Sequence, residues 1–89
     1  MNNKDKSELI LTLSCPDTSG IVAEVAGFMA ENNLTIKESN QFGDSETNSF
    51  FMRVKALSIS DMNNIEFQGI RESFKLIADK RNMNFNIYN

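Results

Sequence analysis

Apolar residues recur along this chain with two different periods, and the switches between them mark out six elements. In ELILTLS, residues 8 to 14, Leu9, Leu11 and Leu13 fall on one side and Ile10, Thr12 and Ser14 on the other. That period of two predicts a strand, and apolar residues on both of its sides place it in the middle of a sheet. Pro16 cannot donate to a ladder, and Asp17, Thr18 and Ser19 are turn and cap residues. The strand is therefore expected to stop there and a helix to begin near Gly20. Ile21, Val25, Phe28 and Met29 follow at three- and four-residue spacings, flanked by Val22 and Ala26, and form one apolar stripe. Asn32 and Asn33 suit the end of that helix, where a left-handed residue is tolerated.

Residues 34 to 42, LTIKESNQF, begin with Leu34 and Ile36 on one side and then become polar, as expected of an edge strand. Residues 43 to 48, GDSETN, have the composition of a hairpin loop. The return strand SFFMRVKAL sets Phe50, Met52, Val54 and Ala56 against Phe51, Arg53 and Lys55, one face for the core and one for water. A second helix is predicted from Asn63 or Asn64 to Arg81, with Ser60 or Asp61 placed to start it and Phe67, Ile70, Phe74, Ile77 and Ala78 on one face. Gly69 inside it costs roughly 1 kcal/mol relative to Ala. In NMNFNIYN, Met83, Phe85 and Ile87 alternate with Asn84, Asn86 and Tyr88, which predicts a last strand.

Two helices with one-sided stripes are both buried when they cover the same face of a four-stranded sheet. The order βαββαβ thus predicts an α+β, ferredoxin-like sandwich. Right-handed crossovers put the first and third strands in the middle and make the sheet antiparallel.

Composition narrows the function classes. Eighty-nine residues make one domain that gains from a partner, so a homodimer or higher homo-oligomer is expected. Nine basic residues against twelve acidic ones give a net charge of -3 and a pI near 4.8, which opposes nucleic-acid binding. No apolar run approaches the roughly 20 residues of a membrane span, and the polar start MNNKDKSE does not read as a signal peptide, so no membrane partner and a cytoplasmic location are expected. With no histidine and a single cysteine, Cys15, the chain has no conventional soft-metal site. Cys15 reads as a small buried filler, since nothing cationic near it in sequence would activate the thiol.

The stretch from Ser14 to Ile36 is the most informative. A strand, a Pro-Asp-Thr-Ser-Gly turn and an immediate helix leave the first helical N–H groups unpaired at the positive end of the helix dipole, where a carboxylate can be received. Gly20 and Ile21 supply those amides. Gly20 also has a plain explanation, a turn that needs no side chain. Asp17 and Glu24 are the nearest general bases, but neither has a second group at a spacing that makes an acid–base pair, so no catalytic residue is expected.

The run LTLSCPDTSGIVAEVAGFMAENNLTIKESNQFGDSETNSFFMRV resembles the N-terminal ACT domain of the formyltetrahydrofolate deformylase family. The most specific parts are Cys15-Pro16-Asp17 with Gly20-Ile21-Val22, the Asn40-Gln41 pair, and Phe50-Phe51-Met52-Arg53-Val54 after an acidic loop. The resemblance implies that residues 1–89 are a single ACT-like regulatory domain at the N-terminal end of a longer enzyme. A formyltransferase-like catalytic domain, absent here, would hydrolyse 10-formyltetrahydrofolate to formate and tetrahydrofolate for purine and one-carbon metabolism. That domain would use an Asn, His and Asp constellation, and the folate substrate would belong to it, so this chain needs no cofactor of its own.

The resemblance further implies a small amino acid as ligand, glycine or methionine, bound between two subunits. Its carboxylate would lie on Gly20 and Ile21, with Asp17, Asn33 or Asn40 at the amino group and Asn40 and Gln41 reaching a neighbour's ligand. Each has a plain alternative: a turn acceptor for Asp17, a helix cap for Asn33, a polar strand end for Asn40 and Gln41. The chain has Thr18-Ser19 where the family usually has a basic residue and proline, which is expected to loosen the turn. Two other readings stay open: a pure oligomerisation module whose turn binds nothing, and an RNA-binding sheet using Phe51, Arg53 and Lys55. The latter lacks the Lys/Arg-Gly-aromatic-Gly spacing, and an acylphosphatase reading fails because the first turn carries Asp17 in place of a glycine-rich phosphate loop.

Overall fold

A computed structural model of the chain describes residues 7–89. Most of the polar start read above as no signal peptide, residues 1–6, lies outside the described residues. The elements are β1 Glu8–Pro16, α1 Ile21–Glu31, β2 Leu34–Asp44, β3 Ser49–Ser58, α2 Asn64–Lys80 and β4 Asn84–Tyr88. All strand pairs are antiparallel and the sheet order is β2-β3-β1-β4, so the first and third strands are central. This is the α+β ferredoxin-like sandwich expected from the pattern.

One sheet face and both helices share one core. Leu9, Leu11, Leu13 and Cys15 from β1 and Met52, Val54 and Ala56 from β3 cluster with Ile21, Val25, Phe28 and Met29 of α1 and Phe67, Ile70, Phe74 and Ala78 of α2. Phe74 lies at its centre, edge-on to Phe28 at 5.1 Å and to Phe85 at 5.0 Å, and so ties α2 to both α1 and β4. The second sheet face is open, yet Ile10 there is only 6% exposed, between its neighbours Lys55 and Tyr88. That burial explains why the central strand is apolar on both sides.

Three boundaries differ from the sequence reading. β1 continues through Pro16, which pairs with Ser49 at the end of the ladder, where a missing N–H is tolerated. β2 extends through Gly43 and Asp44, paired with Phe50 and Ser49, so the hairpin loop is only Ser45–Asn48, with Asn48 at φ 54°. α2 is capped by Asn63 and not by Ser60 or Asp61. The Asn63 side chain accepts from Glu66 N at 2.8 Å while Asn63 N donates to Glu66 Oε1 at 2.9 Å, a capping box. Ser60 and Asp61 instead fasten the preceding connection, where Ser7 Oγ donates to Asp61 Oδ1 at 2.7 Å and Ser58 Oγ donates to the Ser60 carbonyl.

Candidate functional site

The β1–α1 turn is built from backbone constraints. Asp17 N donates to Asn48 O at 3.0 Å, which pins the turn to the β2–β3 loop. Gly20 then takes φ 87° and ψ 0°, a left-handed conformation that suits glycine, and acts as the N-cap of α1. No side chain caps the helix, which corrects the expectation that Asp17, Thr18 or Ser19 would do so. The first helical bond is Glu24 N to Gly20 O at 3.0 Å, so the amides of Ile21, Val22 and Ala23 have no partner within the helix. Pro16 to Gly20 are exposed while the Ile21 side chain is buried and anchors the helix start.

A long-range cluster covers this turn from the other end of the chain. Arg81, the residue that ends α2, donates from Nε to Glu24 Oε1 at 2.6 Å and from Nη1 to Thr18 Oγ1 at 2.9 Å. Lys80 Nζ lies 2.5 Å from Glu24 Oε2, so both carboxylate oxygens of Glu24 are engaged. The hydrogen bond from Lys80, followed by that from Arg81, holds the Glu24 carboxyl below its ordinary value. Arg81 also crowds Gly20: its Nη2 is 3.3 Å from where a Cβ on that glycine would stand. Thr18, which stands where the family usually has a basic residue, is tied to Arg81.

The other residues selected from sequence do not gather around Gly20 within one chain. Asp17 does lie beside β2, with its Oδ2 2.8 Å from the Cβ position of Gly43. Gln41 pairs with Met52 and so shares the helix-covered face, and it accepts from Ser39 Oγ at 2.9 Å. Asn40 pairs with Arg53 and points to the opposite, open face. Asn33, left-handed at φ 59°, follows the far end of α1, about 16 Å from its start for an 11-residue helix. Its backbone N–H donates to Ala30 O at 3.1 Å, the helix-end role read from sequence.

Hollows in the surface follow this separation. Asn33 lines one of about 410 Å³ with Ser58, Met62 and Gly69, between the end of α1 and the start of α2. Asn40 lines another of about 270 Å³ with Phe42, Phe51 and Arg53 on the open face, where the two phenyl rings stack at 5.0 Å. A third, of about 390 Å³, lies under Cys15 and Pro16 beside Asn48 and Asn82. Gly20 and Ile21 line none of these. Cys15 is buried at 6% exposure, as expected, and desolvation is the main reason its thiol pKa is raised, with Arg81 opposing and Asp17 adding to the effect. Among the described residues there is no cluster of potential metal ligands and no helix long and apolar enough to cross a membrane.

No family model matches the chain. A solved ACT domain protein from Streptococcus pneumoniae is 30% identical to it and superposes with a TM-score of 0.77, covering 91% of this chain and 86% of its own. The chain belongs to the ACT domain family. Within it, the sequence resembles the N-terminal ACT domain of formyltetrahydrofolate deformylase. The deformylase of Bacillus subtilis strain 168 is 34% identical over 93 residues, 96% of this chain. The solved deformylase of Pseudomonas syringae pv. tomato DC3000 is 32% identical with a TM-score of 0.82 over 94% of this chain. Both matches span 27% of the relative's own length.

Proposed function

We propose that this chain is the amino-acid-binding regulatory domain of a formyltetrahydrofolate deformylase, a cytoplasmic enzyme that hydrolyses 10-formyltetrahydrofolate to formate and tetrahydrofolate in purine and one-carbon metabolism. The folate substrate and the catalytic groups belong to a separate formyltransferase-like domain. The ligand is a small amino acid, glycine or methionine, and the binding unit is a homodimer. The observation that carries this reading is the start of α1: a left-handed Gly20, no side-chain cap, and the unpartnered first-turn amides of Ile21 to Ala23 at an exposed turn.

The distribution of the other residues supports the dimer. Gly20 and Ile21 stand at one end of α1 and Asn33 at the other. A two-fold axis that sets two α1 helices antiparallel brings Asn33 of a second copy beside Gly20, with Asp17 and Gln41 along the same β2 margin. A ligand held there contacts both copies, and one that fits one quaternary arrangement better shifts the population toward it.

Titration calorimetry with glycine, methionine and a panel of other amino acids tests the reading. Heat of binding is expected with one of the small amino acids, lost in Gly20→Val. Silence across the panel at millimolar concentration, with a folded dimer in the cell, would leave only an oligomerisation module.

A further inference from the structure

We propose that Arg81 is the positioning residue of the β1–α1 turn and the mechanical link between that turn and the α2–β4 junction. One guanidinium touches three separate parts of the turn and helix: Glu24 in the first turn of α1, the Thr18 hydroxyl at 2.9 Å, and the Ser19 carbonyl at 3.5 Å. These partners are 57 to 63 residues away in sequence. Lys80, at the end of α2, adds a second tie that ends on the same Glu24 carboxylate.

Arg81 is itself held by the junction it belongs to. Its N–H donates to Ile77 O at 3.1 Å, Asn82 turns left-handed at φ 55°, and Met83 N donates to Ala78 O at 2.8 Å before β4 begins. The backbone on either side of Arg81 is thus fixed, and its side chain reaches from there to the turn. A shift of Thr18 or Ser19 moves the guanidinium, and the guanidinium sits one residue from the turn that sets the entry of β4.

A lysine cannot replace this group, because a single ammonium cannot serve Glu24 and Thr18 with the planar fork that arginine provides. Placing a cation beside the positive end of the α1 dipole is unfavourable in isolation; Glu24 in the first helical turn neutralises it. The ion pair is therefore what allows Arg81 to stand where it does. The link gains its regulatory meaning from the amino-acid site proposed above, since ligand at the turn would be felt at β4; the link itself is independent of that reading.

Amide hydrogen exchange on the intact chain tests the link in both directions. Arg81→Ala is expected to speed exchange at the Glu24 and Asp17 amides by about tenfold or more, the effect of losing a charge-assisted hydrogen bond, with Val54 in the sheet centre unchanged. Arg81→Lys is expected to leave most of that increase in place. Thr18→Val, a milder change that spares the core, is expected to speed exchange at Met83 across the molecule. Unchanged protection of Glu24 in Arg81→Ala, full rescue by lysine, or an unmoved Met83 amide in Thr18→Val each overturns the proposal. Calorimetry on the wild type separates the two readings, since absent binding removes the amino-acid site while the exchange data still decide the link.

Discussion

Asp17 and Gly43 occupy a single space at the rim of the sheet: the Asp17 carboxylate, at 2.8 Å, fills the place a side chain on Gly43 would need. Asp17 is exposed and its carboxylate is the end of a flexible side chain, so Gly43→Ala swings it aside and leaves the strand intact. Unfolding stability is expected to change by less than about 0.5 kcal/mol, as for ordinary surface substitutions. Glycine or methionine binding is expected to weaken to the same degree as in Asp17→Ala. Undiminished binding in Gly43→Ala beside lost binding in Asp17→Ala would show that the two residues are not coupled.

Gly69 offers a stabilising change. It lies inside α2, and a Cβ built there has no heavy atom within 4 Å. Gly69→Ala is expected to raise stability by about 1 kcal/mol, roughly 4–8 °C in Tm for a domain of this size. A calorimetric melt that is flat or lowered would mean the glycine has a packing role.

Phe74 marks the opposite extreme. Fully buried and edge-on to both Phe28 and Phe85, it joins three elements through one ring. Phe74→Ala is expected to cost about 3–5 kcal/mol, most of the margin of a small domain. Urea denaturation followed by circular dichroism reads this directly, and a near-native midpoint would contradict the central role of that ring.

Much of this arrangement was legible along the chain, and what was hidden had physical causes. Alternation found all four strands because the helix-covered face is apolar, and three- and four-residue spacing found Ile21, Val25, Phe28 and Met29. The end of β2 escaped because Ser39 to Asp44 form an exposed edge with no buried face to impose a pattern, so Gly43 and Asp44 resembled a loop. The Asn63 cap was visible in principle, since Asn63 and Glu66 have capping-box spacing, yet Ser60 and Asp61 competed for that role. In the candidate site, the strand, turn and glycine were readable as local signals. Arg81 was not, since nothing in a charged residue at a helix end announces a partner 57 positions earlier.

Glu24 gives the fold a specific response to acid. Held between Lys80 and Arg81, its carboxyl titrates below the ordinary 4.5. The folded state then binds fewer protons than the unfolded one, so the contribution is complete above that ordinary value and drains away as pH falls through the lowered folded value. The stability difference between wild type and Glu24→Gln is expected to hold above the ordinary 4.5 and to shrink as pH falls below it. Equilibrium unfolding at a series of pH values checks this, and a difference that stays constant as pH falls below 4.5 would sink it.

Cys15 is expected to resist alkylation. Burial keeps the thiol protonated near neutrality and also blocks access to it. Labelling by iodoacetamide should be slow in the native protein and rapid in urea, and fast native labelling would place the thiol at an accessible surface.

The ladder between β2 and β3 slips by one position between Ile36 and Glu38. An inserted residue of this kind breaks the outer rim of the sheet into two short stretches that are out of phase with each other. A foreign strand arriving at that rim can zip along one stretch but not continue through the other, which discourages an endless stack of sheets.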